Sequence, residues 1–558
     1  MLEARIKKQN IVQNLQMKNR TEIYQKLNEL TSYNDFIEVL LILCDKNLNC
    51  YENELATRDL KSRLNENEII FLFGLWAKNK NKRNGIYTDK LELSEIIHKL
   101  MDDLHLTFLS DFKSIDLLSI NSLSTYHQQI RKNPAAIKET IFYSGSGAYD
   151  YQLINFVVPK YELDNDWILK NMKFSTKDLQ RLYTYIKSVL NYKINFKRDK
   201  LNTIELYSLS RDNYVFKKNP VFITILDTLS FEIEEMLNEN FNDIGDLNHF
   251  RFRPVIRSGS KYIIPFPYLL SESIYDGPFY WMLDDKKYKS TALKNRGDCA
   301  EKIVKSILER KIKKENIFLE VNVNVVKTET VTDLDVCIVC ENKMLIFQVK
   351  SKRLTQLSKN GDIESFHNDF KLAVIDANKQ ATTPIPLIIS NSCKLKSKIS
   401  GVEIDCSKIT EIYSACIVLD SYPAITTHTR MFFYDGLEEM PVAINIFDLE
   451  VILDYVTGFD MLFDYIKKRA QFSKYYIAET ELSFFAKYMK SDLKRMDDSD
   501  LIYLDNDFAQ NYDSDYYLPL MKSYEKEFPS FISSIGRNDY CFCGSGNKLK
   551  KCCIDNIS

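Results

Sequence analysis

Two short apolar runs around a polar turn constrain this 558-residue chain more than any other feature. The first is Val336-Cys337-Ile338-Val339-Cys340 and the second Met344-Leu345-Ile346-Phe347, with Glu341-Asn342-Lys343 between them. Runs this short, rich in β-branched and aliphatic side chains, read as neighbouring strands of a well-covered sheet. Asp335 opens the first run and Gln348-Val349-Lys350 closes the second. The hairpin therefore places Asp335 near Gln348 and Lys350. Side chains two apart leave a strand on the same face, so Gln348 and Lys350 point together while Val349 packs on the other side. An amide and an ammonium at the edge of a core need partners: each other, water or a metal. Asp335 is the obvious carboxylate to complete the set.

A second carboxylate comes from upstream. Residues 298–313 have helical periodicity, with Ala300, Val304, Ile307, Leu308 and Ile312 on one face and Asp298 as an N-cap. At about 100° per residue, Glu301 projects between Leu308 and Ile312, inside that apolar face. Solvation does not explain a carboxylate there.

The order of these pieces resembles the PD-(D/E)xK nuclease core over residues 296–381: a helix with Glu301, a strand over 318–326 with alternating Leu319, Val321, Val323 and Val325, a strand with Asp335, a strand ending Gln348-x-Lys350, then a helix. The third motif is usually Glu-x-Lys; Gln-x-Lys is the variant of Mrr-like restriction enzymes, and the arrangement also looks like the NERD branch. The resemblance implies a restriction-endonuclease-like α/β core, metal-assisted phosphodiester hydrolysis, and a setting in restriction, phage defence or repair. A hard cation such as Mg²⁺ (or Mn²⁺) takes oxygen ligands and keeps several waters. By the resemblance, Asp335, the Gln348 amide and the Val349 carbonyl are its ligands. Glu301 would hold a metal-bound water or a second ion, and Lys350 would orient the attacking water and offset developing charge. Gln in place of Glu removes one negative charge, which implies weaker metal binding. DNA is the expected substrate; nothing in the residues selects it over RNA. The alternative is a catalytically inactive scaffold that binds nucleic acid or protein.

Length points to several domains, since single cores rarely exceed about 250–300 residues. With 45% hydrophobic and 27% charged residues the chain is globular in composition. A net charge of −2 gives no global nucleic-acid signature, so such binding would rest on local patches. Residues 1–20 lack the apolar stretch of a signal peptide, and no run reaches the ~20 apolar residues of a membrane span. A cytoplasmic protein that avoids membranes is expected. The scattered Cys44, Cys50, Cys299, Cys337, Cys340, Cys393, Cys406 and Cys416 suit a reducing compartment better than a disulfide framework.

Residues 1–250 read as a mostly helical domain. Residues 78–85 form a polar, basic loop, and residues 143–147 a turn without the Gly-Lys-Ser/Thr ending of a phosphate loop. Ser175 and Asp178 make a capping box that opens a helix through Leu190, and more helix is expected over 222–237. Residues 251–292, with Pro254, Pro265 and Pro267 among aromatics, read as an extended connecting segment packed on the nuclease core. Its aromatics are core, or else they stack on unpaired bases beside Arg251, Arg253 and Arg257.

The nuclease-like domain is expected over 293–430. Lys350, Lys352, Arg353 and Lys359 would form a basic lip for a polyanion, 364–381 a helix on which Gln380 stands within reach of the site but outside the expected set, and 385–389 and 414–419 strands. Residues 431–530 read as helices (445–468 and 479–493) followed by an acidic connector rich in Asp and Tyr.

The C-terminal stretch 536–558 carries Cys541-x-Cys543 and Cys552-Cys553 around Gly544-Ser545-Gly546. Four thiolates in two close pairs suit a closed tetrahedral Zn²⁺ site, and so short a segment has no core of its own to fold on. The pattern resembles the SEC-C motif, which implies a docking knob for a protein or nucleic-acid partner without a catalytic role. The expected whole is a multidomain α/β protein: a restriction-endonuclease-like core flanked by mostly helical domains, with a C-terminal zinc knuckle.

Overall fold

The computed structural model describes residues 19–33, 35–48, 63–78, 89–111, 123–145, 147–326, 329–433, 439–496, 502–504, 526 and 529–554. Most of the expected basic loop after Lys78, Ser146 of the 143–147 turn, and nearly all of the acidic connector lie outside them. The fold is mixed α/β. It divides into two compact units, each assembled from separate stretches of chain.

One unit joins Asn10–Thr107, Asp150–Ala292 and Asp513–Ser558. Its longest central helix, α1 (Thr176–Lys197), starts at the capping box: the Ser175 hydroxyl accepts from the Asp178 amide, and the Asp178 carboxylate accepts from the Ser175 amide. Leu179, Leu182, Ile186, Val189 and Leu190 recur at helical spacing and are all buried. A small sheet packs into the same core. Its strands are β1 (Ser208–Ser210), β2 (Ser230–Glu232), β3 (Val255–Ser258) and β4 (Lys261–Ile263), in the order β1-β4-β3-β2. The helix expected over 222–237 stops at Thr228, and β2 follows.

The connecting segment is mostly not extended. After β3 and β4 the chain forms helix α2 (Pro267–Asp284). Pro267 stands in its first turn, where no intrahelical N–H is needed, so the proline opens the helix instead of excluding it. Tyr275 and Phe279 are buried, and Ile274, Phe279 and Met282 join the core around α1. Arg251, Arg253 and Arg257 pair with Glu272, Glu235 and Asp227. These pairings favour the core reading over base stacking.

The other unit includes Phe108–Tyr149 and Leu293–Tyr512. Helix α3 (Lys289–Leu308) leads into a seven-stranded sheet: β5 (Ile317–Val326), β6 (Glu329–Cys340), β7 (Lys343–Lys350), β8 (Lys394–Ser397), β9 (Glu403–Ile404), β10 (Glu411–Val418) and β11 (Val442–Asn445). Strand order is β11-β10-β7-β6-β5-β8-β9. β5, β6 and β7 form an antiparallel meander, β10 lies parallel to β7, and β11 parallel to β10. The turn between the two apolar runs is therefore a tight hairpin, with Glu341 in the left-handed region at φ 54°. Helices α4 (Ile363–Phe370) and α5 (Asp376–Thr382), joined by a π-turn over Lys371–Ile375, bury Phe366, Phe370, Ala373, Val374 and Ala377 against β10 side chains.

Residues 385–389, expected as a strand, are a short helix instead. Pro384 and Pro386 remove donors a sheet would use but fit a helix start. None of the helices among the described residues is long and apolar enough to cross a membrane.

Candidate metal centres

The hairpin register carries Asp335 and Gln348 to opposite positions, one step past the paired Val336 and Phe347. Asp335 is fixed by the backbone: its Oδ2 accepts from the Val349 amide at 2.7 Å. Lys350 Nζ stands 3.9 Å from the same oxygen. Gln348 is fully buried, and neither its Oε1 nor its Nε2 has a hydrogen-bond partner of proper geometry among the described residues. The amide nonetheless lies close enough to stabilise the Asp335 carboxylate. A buried amide without partners is costly.

Burial raises the Asp335 carboxyl to about 6 against the pull of Lys350. Glu301, on α3 beside the buried Ala300, Ile303 and Val304, is pushed up to about 8. Burial is the main cause, with further contributions from Asp335, Glu320, Asp298 and Asp333. The four residues expected as a site from sequence are thus in one neighbourhood. Such crowding of acids calls for a proton or a cation.

Three residues around this site were missed or set aside. Gln380 on α5 accepts from Lys350 Nζ at 3.1 Å and donates to the carbonyl and carboxylate of Asp333, so it ties the lysine to β6. Asp333 precedes Asp335 by two residues, and strand alternation alone could have marked it. Glu320 lies in β5 at φ 46°, a backbone feature no sequence pattern announces.

The expected basic lip is largely internally neutralised. Lys352 pairs with buried Asp369 at 2.9 Å, and Arg353 pairs with buried Asp420, which also binds Arg296. The chain after β7 turns back on these carboxylates, and Asp369 also accepts from the Thr355 amide and Ser358 hydroxyl.

One observation bears on a hard cation: the buried Gln348 amide oxygen has no hydrogen-bond partner among the described residues, on a strand end beside the Asp335 carboxylate. The donor set is sparse, which suits an ion that retains water ligands.

The cysteines form a different kind of centre. The Sγ atoms of Cys541, Cys543, Cys552 and Cys553 all lie within 4.8 Å of one another. Cys552 Sγ is 3.4 Å from Cys543 Sγ and 3.6 Å from Cys553 Sγ. A tetrahedron with Zn–S near 2.3 Å has S···S edges of about 3.8 Å, while a disulfide needs about 2.05 Å. Gly544 and Gly546, at φ 73° and 78°, turn the chain between the pairs. The Cys541 amide donates to the Asn547 carbonyl at 2.7 Å and closes this turn. Mutual hydrogen bonding drives the thiols apart, with Cys543 far below and Cys541 far above the usual value. Four thiolates this close require a cation to ionise together. The cluster can hold a metal such as zinc.

Compared with family models, curated proteins and solved structures, the chain matches none of them.

Proposed function

We propose that this protein hydrolyses phosphodiester bonds of nucleic acid, DNA being the expected substrate, with the aid of a divalent cation. The observation that carries this reading is the buried Gln348 amide, whose oxygen has no partner among the described residues, beside Asp335 and Lys350. The element order adds support: a helix with Glu301, a three-strand meander that carries Asp335 and Gln348-x-Lys350, then a helix. That order is the one the PD-(D/E)xK resemblance implies.

Asp335, the Gln348 amide oxygen and the Val349 carbonyl would hold Mg²⁺. When bound, the ion polarises the phosphoryl group and lowers the pKa of a bound water. Lys350, steadied by Gln380, orients the attacking water and offsets charge developing on the phosphoryl oxygens. Glu301, whose carboxyl burial pushes up to about 8, would hold that water or a second ion.

The neutralised lip favours a second reading, an inactive domain that grips a partner without cutting, because Lys352 and Arg353 already have carboxylate partners. The test is incubation of the full chain and of Lys350→Ala with supercoiled plasmid, linear duplex, single-stranded DNA and RNA, each with Mg²⁺ or EDTA. Cleavage that requires both metal and Lys350 supports the hydrolase. Failure to cleave any of them, by folded protein with its zinc content intact, supports the inactive domain.

A further inference from the structure

A docking knob should stand apart from its own protein. The cysteine knuckle does the opposite within its unit. Cys541, Phe542, Cys543, Leu549 and Cys553 are buried in the same core as Tyr185, Leu190 and Leu209. The Tyr185 hydroxyl donates to the Phe542 carbonyl at 2.8 Å, across 357 residues of sequence. The Phe542 ring meets Tyr192 edge-on. Lys197 Nζ donates to the Cys552 carbonyl, and the Ser210 amide donates to the Gly544 carbonyl at 2.9 Å. The approach at Gly544 is so close that a Cβ there would stand 2.8 Å from Leu209 Cα.

We propose that the metal held by Cys541, Cys543, Cys552 and Cys553 is a structural staple of this whole unit, holding α1 and β1 in place from the far end of the chain. The knuckle supplies core side chains but has no core of its own, so its shape depends on the metal. Without that shape, Phe542 and Leu549 cannot stay seated against Tyr185 and Leu209. Order lost at the cysteines therefore spreads to helix 176–197 and strand 208–210. The face of the knuckle turned to this core is consequently not available to any partner.

The test is hydrogen exchange of the full chain before and after removal of the metal with a thiolate-competing chelator, Mg²⁺ being kept in excess. The expected result is exchange about tenfold or more faster for core amides of 176–197 and 208–210, together with those of 536–554. Restoring Zn²⁺ restores protection. Phe542→Ala supplies an arm that leaves the four thiols and the Gly544–Gly546 turn unchanged: it should retain one metal per chain yet show the same loosening of 208–210 and 176–197. Faster exchange confined to 536–554 in both arms overturns the proposal. Full protection after verified loss of the metal overturns it as well.

Discussion

The two candidate metal centres differ in what holds them together. The carboxylate centre sits on a prebuilt frame: Asp335, Gln348 and Lys350 are set by a meander whose backbone hydrogen bonds form without any ion. The cysteine centre lies on a short turn-rich segment with one 3₁₀ turn, Leu549–Lys551, and four thiols within 4.8 Å of one another. A rigid sheet can tolerate an empty ion site at the cost of a strained local charge balance. The knuckle has no regular frame of its own, so its shape rests on the metal and on the core it packs against.

Substitution of the thiols should give the largest structural effect. Cys541→Ser removes one of four soft ligands and should abolish stoichiometric zinc, with a cooperative loss of several kcal/mol in stability measured by chemical denaturation. Lys350→Ala should leave the fold unchanged and lower cleavage by about 10²–10³-fold, read from single-turnover rates. If cysteine substitution were silent and Lys350→Ala unfolded the protein, the contrast between the two centres would be reversed.

Gln348→Leu sharpens the comparison because its two effects oppose. The orphaned amide disappears, so the metal-free protein should gain about 1–3 kcal/mol, while Mg²⁺ affinity measured by calorimetry falls. A loss of stability instead would mean that the amide has partners in solution.

Glu301 and Asp335 each contribute to the pH dependence of the metal-free protein. Their carboxyls titrate near 8 and 6 in the fold, above their ordinary values of 4.5 and 3.8. At these two carboxyls the folded state therefore holds more protons than the unfolded state across pH 4–8, and their contribution to stability falls as pH rises through that window. Glu301→Gln should remove part of this slope, stabilising the metal-free protein at pH 8 by on the order of 1 kcal/mol, a value discounted for partial solvation of the carboxyl. Thermal midpoints at pH 5 and pH 8 would check the sign.

Tyr185→Phe should give the smallest effect, about 0.5–1.5 kcal/mol in denaturation, by leaving the Phe542 carbonyl without its donor.

Much of this was readable from residue order, and the reason is periodicity. The short apolar runs between Asp335 and Lys350 and the capping box at Ser175 are local signals, and the structure follows them. Pro267 misled because a proline marks a boundary without saying what begins there, whereas at 385–389 the apolar run pointed to a strand and Pro384 and Pro386 argue for the helix.

What the sequence determined by itself was the hairpin, the two cysteine pairs and the presence of the helix bearing Glu301, though not its bounds: it starts at Lys289, so Asp298 lies inside it instead of capping it, and it ends at Leu308 instead of residue 313. Only the tertiary structure decided the rest. It brought Gln380 to Lys350 across a sheet and helix, tied Lys352 to Asp369 and Arg353 to Asp420, and buried the knuckle against α1. Those partners are separated by 17 to several hundred positions in the chain, and no local pattern encodes which distant group will neutralise a charge or cover an apolar face.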